Sequence, residues 1–194
     1  PGKPDPGGVS YGTYQMASAY GVPDKFVQGS AWKKDFEGLK SGTPEFSAKW
    51  KEVSNRDGKA FADAQHDYIK KTHFDPAAKL AKKMGFDLDD SGVQDAIWSM
   101  SVQHGKYGKV LEIAKGMMGG TISPDARTQI KALYDARKQY TSGQFDKRYN
   151  AEVQMVLAKS DKSVTPIDGQ PNTGTQLASS SVENQDMKKK TGST

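Results

Sequence analysis

The chain has 194 residues, enough for one domain and an appendage. Hydrophobic residues make up 35%, so a core can form, and the absence of Cys excludes disulfides and thiolate metal sites. The formal net charge is +5, but from Ser160 onward Asp161, Asp168, Glu183 and Asp186 balance Lys162, Lys188, Lys189 and Lys190, so the excess lies ahead of that point. A modest basic excess favours polyanionic partners or simply a lysine-rich solvated surface. No apolar run approaches the ~18 residues of a membrane helix, and no secretory signal is visible.

The first element is a β element. In "DPGGVSYGTYQMAS", Val9, Tyr11, Thr13 and Gln15 alternate with Ser10, Gly12, Tyr14 and Met16. Period two with aromatic and β-branched residues predicts a strand or hairpin, with Gly7-Gly8 as its turn. From about Pro23 to Lys159 the period becomes helical. Short helices are expected around Asp24–Leu39 and Thr43–Ser54. "FADAQHDYIKKTHF" sets Phe61, Ala64, Tyr68 and Ile69 near one face, and a further short helix spans Pro76–Met84. "DDSGVQDAIWSMSVQHG" opens on good N-cap residues, carries the stripe Val93, Ala96, Ile97 and Met100, and closes on Gly105 as C-cap. Another short helix covers Tyr107–Met117. "SPDARTQIKALYDARKQY" offers Ser123 as N-cap and Pro124 at the first helical position, with Ile130, Leu133 and Tyr134 inward. "QFDKRYNAEVQMVLAK" is the last helix. The remaining polar stretch, residues 160–194, is rich in Ser, Thr, Gly, Gln and Asn. It has too little apolar surface to offset its ordering entropy and is expected to be a flexible tail that orders only by wrapping a partner.

Three polar signatures in register, "DPGGVSYGTYQMAS", "AQHDYIKKTHFDPA" and "VQDAIWSMSVQHG", resemble the lysozyme-like superfamily. More narrowly they resemble phage- and secretion-associated peptidoglycan hydrolase domains related to chitosanases. The resemblance covers roughly residues 4 to 158. It implies a mainly helical α+β fold, a lysozyme-like helical domain over 1–159 with a small N-terminal β element and a disordered C-terminal tail. It also implies cleavage of peptidoglycan glycan strands by a muramidase or lytic transglycosylase, in a phage virion or secreted to the bacterial cell wall. The rival within the same scaffold is a catalytically inactive structural component of a phage particle.

Such cleavage needs an acid for the leaving oxygen and a base or nucleophile across the ring. The resemblance implies a Glu well ahead of "SYGTYQ", yet the first Glu in the chain is Glu37. Either the acid belongs to an upstream segment, or another carboxylate replaces it, or the chain does not cut. Of the carboxylates present, Asp5 is the candidate catalytic group; as a bland alternative, Asp-Pro-Gly-Gly is a turn. Ser10, Tyr11, Thr13, Tyr14 and Gln15 are the candidate substrate-binding residues of the β element. His66, Gln103 and His104 join them from two helices, because "AQHD" and "VQHG" each set a Gln before a His and adjacent helical residues do not share a face. Trp98 reads as core. No zinc spacing such as HExxH is present, so neither a metal nor a cofactor is expected. The expected partners are peptidoglycan glycan strands, with other virion or secretion-system subunits reached through the 160–194 tail. Membrane and nucleic acid are not expected, since the basic residues are scattered and no helix-turn-helix or finger signature occurs.

Overall fold

A computed structural model describes residues 7–105 and 107–160. The expected α+β, mainly α, class is what it shows: a two-stranded sheet and, among the described residues, eight α-helices. The sheet pairs β1 (Ser10–Tyr11) antiparallel with β2 (Met16–Ala17), in the register Ser10↔Ala17 and Tyr11↔Met16. Its turn is not Gly7-Gly8. The chain reverses over Gly12–Gln15, where Gly12 takes φ +68° and Gln15 takes φ +52°, and Gln15 N–H donates to Gly12 O at 3.2 Å. Two residues per strand make too short a ladder to stand alone. The hairpin is held by its inner face, because the directly opposed pair Tyr11 and Met16 are 4% and 2% exposed. The Tyr11 ring lies 5.1 Å from Phe46 and 5.2 Å from Trp50. Its hydroxyl shares a hydrogen bond with Ser47 Oγ at 2.7 Å and accepts one from Gly42 N–H at 3.0 Å.

After a short 3₁₀ turn, α1 (Val22–Gln28) ends early. The helix expected to reach Leu39 stops at Gly29, and the chain continues in turns. These still bury Trp32 and Phe36, so apolar spacing persisted without helical hydrogen bonds. α2 (Pro44–Arg56) starts at Thr43, whose hydroxyl accepts from Phe46 N–H, with Pro44 opening the helix. α3 (Gly58–Ile69) runs through a π-helical turn, Lys70–Phe74, into α4 (Asp75–Met84). The expected break before Pro76 is therefore a local widening. Pro76 has no N–H to give and its ring would crowd the carbonyl of the preceding turn, and a π turn accommodates both.

α5 (Ser91–Gln103) is capped by Asp90, which accepts from Val93 N–H at 2.8 Å. It ends with His104, in extended backbone, as its C-cap rather than Gly105. α6 (Tyr107–Met117) follows. α7 (Ala126–Tyr140) begins two residues later than the Ser-Pro pair predicts, because Asp125 caps it by accepting from Thr128 N–H at 2.8 Å. α8 (Asp146–Ser160) closes the described chain. Apart from Ser160, the predicted 160–194 tail lies outside the described residues.

The core has two parts. An aromatic cluster gathers Tyr11, Phe26, Trp32, Phe36, Phe46, Trp50 and Phe61 under the hairpin and α1–α3. A mostly aliphatic cluster fills the space between α4 and α8, centred on Val93, Ile97, Met100, Leu111, Ile130 and Leu133. α5 serves both, since Val93, Ala96, Ile97 and Met100 face the second cluster while Trp98 and Val102 pack on the first.

Gly92 is what lets α8 and α7 approach α5. A Cβ there would meet Ile130 Cδ1 at 2.8 Å, Ser160 Cβ at 2.9 Å and the Val156 carbonyl at 2.9 Å. Gly→Ala inside an exposed helix stabilises by roughly 0.5–1 kcal/mol. At this position the sign reverses. Gly92→Ala is expected to lose about 1–3 kcal/mol through overpacking, read as a lower midpoint in urea with an unchanged m-value.

Candidate functional site

The two core clusters meet where the hairpin, α3 and α5 converge. Tyr14 leans from the turn onto α3, its hydroxyl 2.5 Å from His66 Nδ1. The His66 ring stacks on Trp98 of α5, with centroids 5.0 Å apart and planes 20° from parallel. Phe74, delivered by the π turn, lies 5.1 Å from Trp98 on another side. Burial pushes the Tyr14 phenol above its ordinary pKa, so it keeps its proton and donates to Nδ1. In the neutral ring that places the remaining hydrogen on Nε2.

Gln65 precedes His66 and turns inward, 4% exposed. Its amide N–H donates to Phe61 O at 3.1 Å. Its Oε1 is set directly against Gly12, where a Cβ would lie only 1.9 Å away. Both Gln65 Oε1 and His66 Nε2 are closed to solvent without a hydrogen-bond partner. A buried polar atom left unmade costs about 1–3 kcal/mol, so two such atoms on consecutive residues mark this seam out from the rest of the core. The hydrogen bonds that build it run between a phenol, an imidazole, an amide and backbone carbonyls.

The second Gln-His pair has a different environment. Gln103 Oε1 accepts from Arg137 Nη2 at 2.6 Å. Arg137 is fully buried in α7, donates also to Ser99 Oγ at 3.1 Å, and pairs with Glu152 of α8 at 3.4 Å. Arg148 pairs with the same carboxylate at 2.5 Å. The guanidinium of Arg137 lies over Tyr149 at 4.3 Å and Tyr134 at 4.8 Å. His104 Nε2 shares a hydrogen bond with Tyr149 OH at 3.2 Å. Burial, with Arg137 and Arg148 nearby, pushes the His104 pKa down to about 4.

Of the residues singled out in the sequence, the structure thus brings Tyr14 and His66 into contact. Ser10, Thr13 and Gln15 stand exposed on the same hairpin, with the Gln15 side chain donating to Gly12 O at 3.3 Å. Tyr11 is in the aromatic core, and Gln103 and His104 are in the Arg137 cluster. Asp5 lies outside the described residues. Sequence reasoning missed Gln65, whose signal was its position beside His66. It also missed the contact of Trp98 with that imidazole, and Arg137, which carries no local mark in an exposed-looking "DARKQY". Among the described residues no group of three His, Cys, Asp or Glu could hold a metal ion. Two surface hollows, of about 480 and 420 Å³, lie along Gly143–Arg148 and beside Gln28, Lys33 and Glu37, apart from the seam.

Two expectations follow. Tyr14→Phe removes the donor to His66 Nδ1 and is expected to cost about 0.5–1.5 kcal/mol. It also leaves the His66 tautomer mixed, which imidazole ¹⁵N shifts would report. For His104 the folded pKa is below the unfolded one, so between the ordinary histidine pKa of about 6.5 and about 4 the unfolded chain binds more protons. Stability from this group is complete above that window and is lost as pH falls through it. His104→Gln is expected to flatten this part of the pH–Tm curve relative to the parent.

A family model described as type VI secretion system spike protein VgrG3-like, C-terminal, matches residues 1–163. The type VI secretion system spike protein VgrG3 of Vibrio cholerae serotype O1 (strain ATCC 39315 / El Tor Inaba N16961) is 42% identical over 106 residues, covering 54% of this chain and 10% of that protein. The chain thus matches about a tenth of the length of this curated relative. These matches correct the sequence reading on three counts. The family is that of a secretion spike's C-terminal part, not a lysozyme-like, chitosanase-related hydrolase domain. They give no support to glycan-strand cleavage as the function. They also replace the phage virion, whether active or inactive, with a secretion system. The chain belongs to the VgrG3-like C-terminal family of type VI secretion system spike proteins.

Proposed function

We propose that this chain is a terminal module carried by a type VI secretion spike, that it works among other secretion-system subunits and outside the producing cell, and that it binds peptidoglycan glycan strands at the seam of hairpin, α3 and α5. Family membership over residues 1–163 supports the spike setting. The observation that carries the ligand is the seam itself. Exposed Ser10, Thr13 and Gln15 offer hydroxyl and amide groups on the hairpin, next to half-buried Tyr14, His66 and Trp98. Apolar rings with a few convergent polar groups are what a sugar-binding surface requires. The basic balance, +5 overall, favours an anionic polymer in the same wall. The polar 160–194 stretch, by its composition, suits contact with neighbouring subunits.

The test is co-sedimentation of the 194-residue protein with purified, insoluble peptidoglycan. The parent is expected in the pellet. Thr13→Ala combined with Gln15→Asn should leave Tm unchanged, since both side chains are exposed and Asn tolerates a positive φ. The double variant should lose roughly 1 kcal/mol or more of binding, several-fold in retention. A parent that stays in the supernatant at low and physiological salt would sink the reading.

A further inference from the structure

Gln65 and His66 are consecutive residues of α3, and each holds one buried hydrogen-bonding atom without a partner. The two atoms are of opposite kind. Gln65 Oε1 is an acceptor, its amide group being oriented by the bond from Nε2 to Phe61 O. His66 Nε2 is a donor, because Tyr14 donates to Nδ1 and the neutral ring then carries its hydrogen on Nε2. One acceptor and one donor are the complement of a secondary amide. A trans amide presents its N–H and its C=O on opposite edges, and adjacent helical side chains diverge, so one edge meets Gln65 and the other His66.

We infer that this pair is a receptor for the acetamido group of an N-acetylated aminosugar, an inference that rests on the glycan-binding reading above. The acetamido N–H donates to Gln65 Oε1 and its carbonyl accepts from His66 Nε2. Trp98, behind the imidazole, holds the ring in place by stacking. The aromatic surroundings favour a sugar-borne amide over a peptide backbone, whose neighbouring amides would need further buried partners.

Entry is through Gly12. The turn lies directly on Gln65 Oε1 at this residue and has no side chain to withdraw. The hairpin is tied by two-residue strands, so its tip is drawn from the low-stability end of the fold. Tyr14, at the far end of the turn, keeps the imidazole in its donor tautomer.

The experiment is titration calorimetry of the full chain with chitotetraose and with cellotetraose, which has hydroxyls where the first has acetamido groups and is equally uncharged. The expected result is at least tenfold tighter binding of chitotetraose, with a shift of the His66 Nε2 resonance on addition. Gln65→Met, matched in length but without the amide, should abolish the preference while circular dichroism shows the parent's fold. If Gln65→Met fails to fold, the His66 shift in the parent still decides. Equal affinity for the two sugars, or no movement of His66, overturns the amide receptor while peptidoglycan co-sedimentation still stands. An N-acetylated dipeptide competing as well as chitotetraose overturns the commitment to a sugar. Loss of co-sedimentation as well as sugar binding overturns the glycan reading itself.

Discussion

A guanidinium with no access to water organises the C-terminal half of this molecule. Arg137 is fully buried, and such a charge is tolerated only where its field and its donors are met. Glu152 of α8 supplies the countercharge, Ser99 and Gln103 of α5 accept hydrogen bonds, and the rings of Tyr134 and Tyr149 cover its faces. Three helices are therefore held in one register by one side chain. Removing a partner would leave an uncompensated charge, so slippage of α5 against α7 or α8 is opposed more strongly than apolar packing alone would oppose it.

That constraint reaches the seam through α5. Ser99 and Gln103 face Arg137, and Trp98 is on the same helix. Holding the first two fixes where the indole emerges. Trp98 then meets His66 and Phe74 from the α3–α4 rod, and Tyr14 completes the group from the hairpin. The hairpin is placed by a different device, the burial of Tyr11 against Phe46 and Trp50 with its hydroxyl tied to Ser47 and Gly42. Two independent anchors, one ionic and one aromatic, thus bring three segments distant in sequence to one place.

The two Gln-His pairs show how much local sequence leaves open. "AQHD" and "VQHG" look alike, and both sit on helices. In the second, Gln103 and His104 find partners in Arg137 and Tyr149 and are used up in holding the core. In the first, Gln65 and His66 keep one unmade bond each. Nothing within the dipeptides separates them. The difference lies in what faces them, a buried arginine in one case and a glycine-bearing turn in the other.

The mainly helical class with a small β element was legible in the sequence because both rest on local rules. Val93, Ala96, Ile97 and Met100 follow the helical period, and Tyr11 and Met16 belong to a short alternating stretch. Caps and breaks were read less well. Asp125 outcompeted Ser123 for the start of α7, and Pro76 widened a helix instead of ending it, because neighbouring groups decide such contests. The family was legible only as three polar signatures, and comparison moved it from a hydrolase to a secretion spike's C-terminal part. The seam was decided by tertiary structure alone. The sequence by itself determined which residues prefer helix, strand turn or core, since periodicity and capping are set within a few residues. Which Gln-His pair stays open was determined by long-range packing, because a hydrogen bond is satisfied or left unmade only by the groups that folding brings beside it.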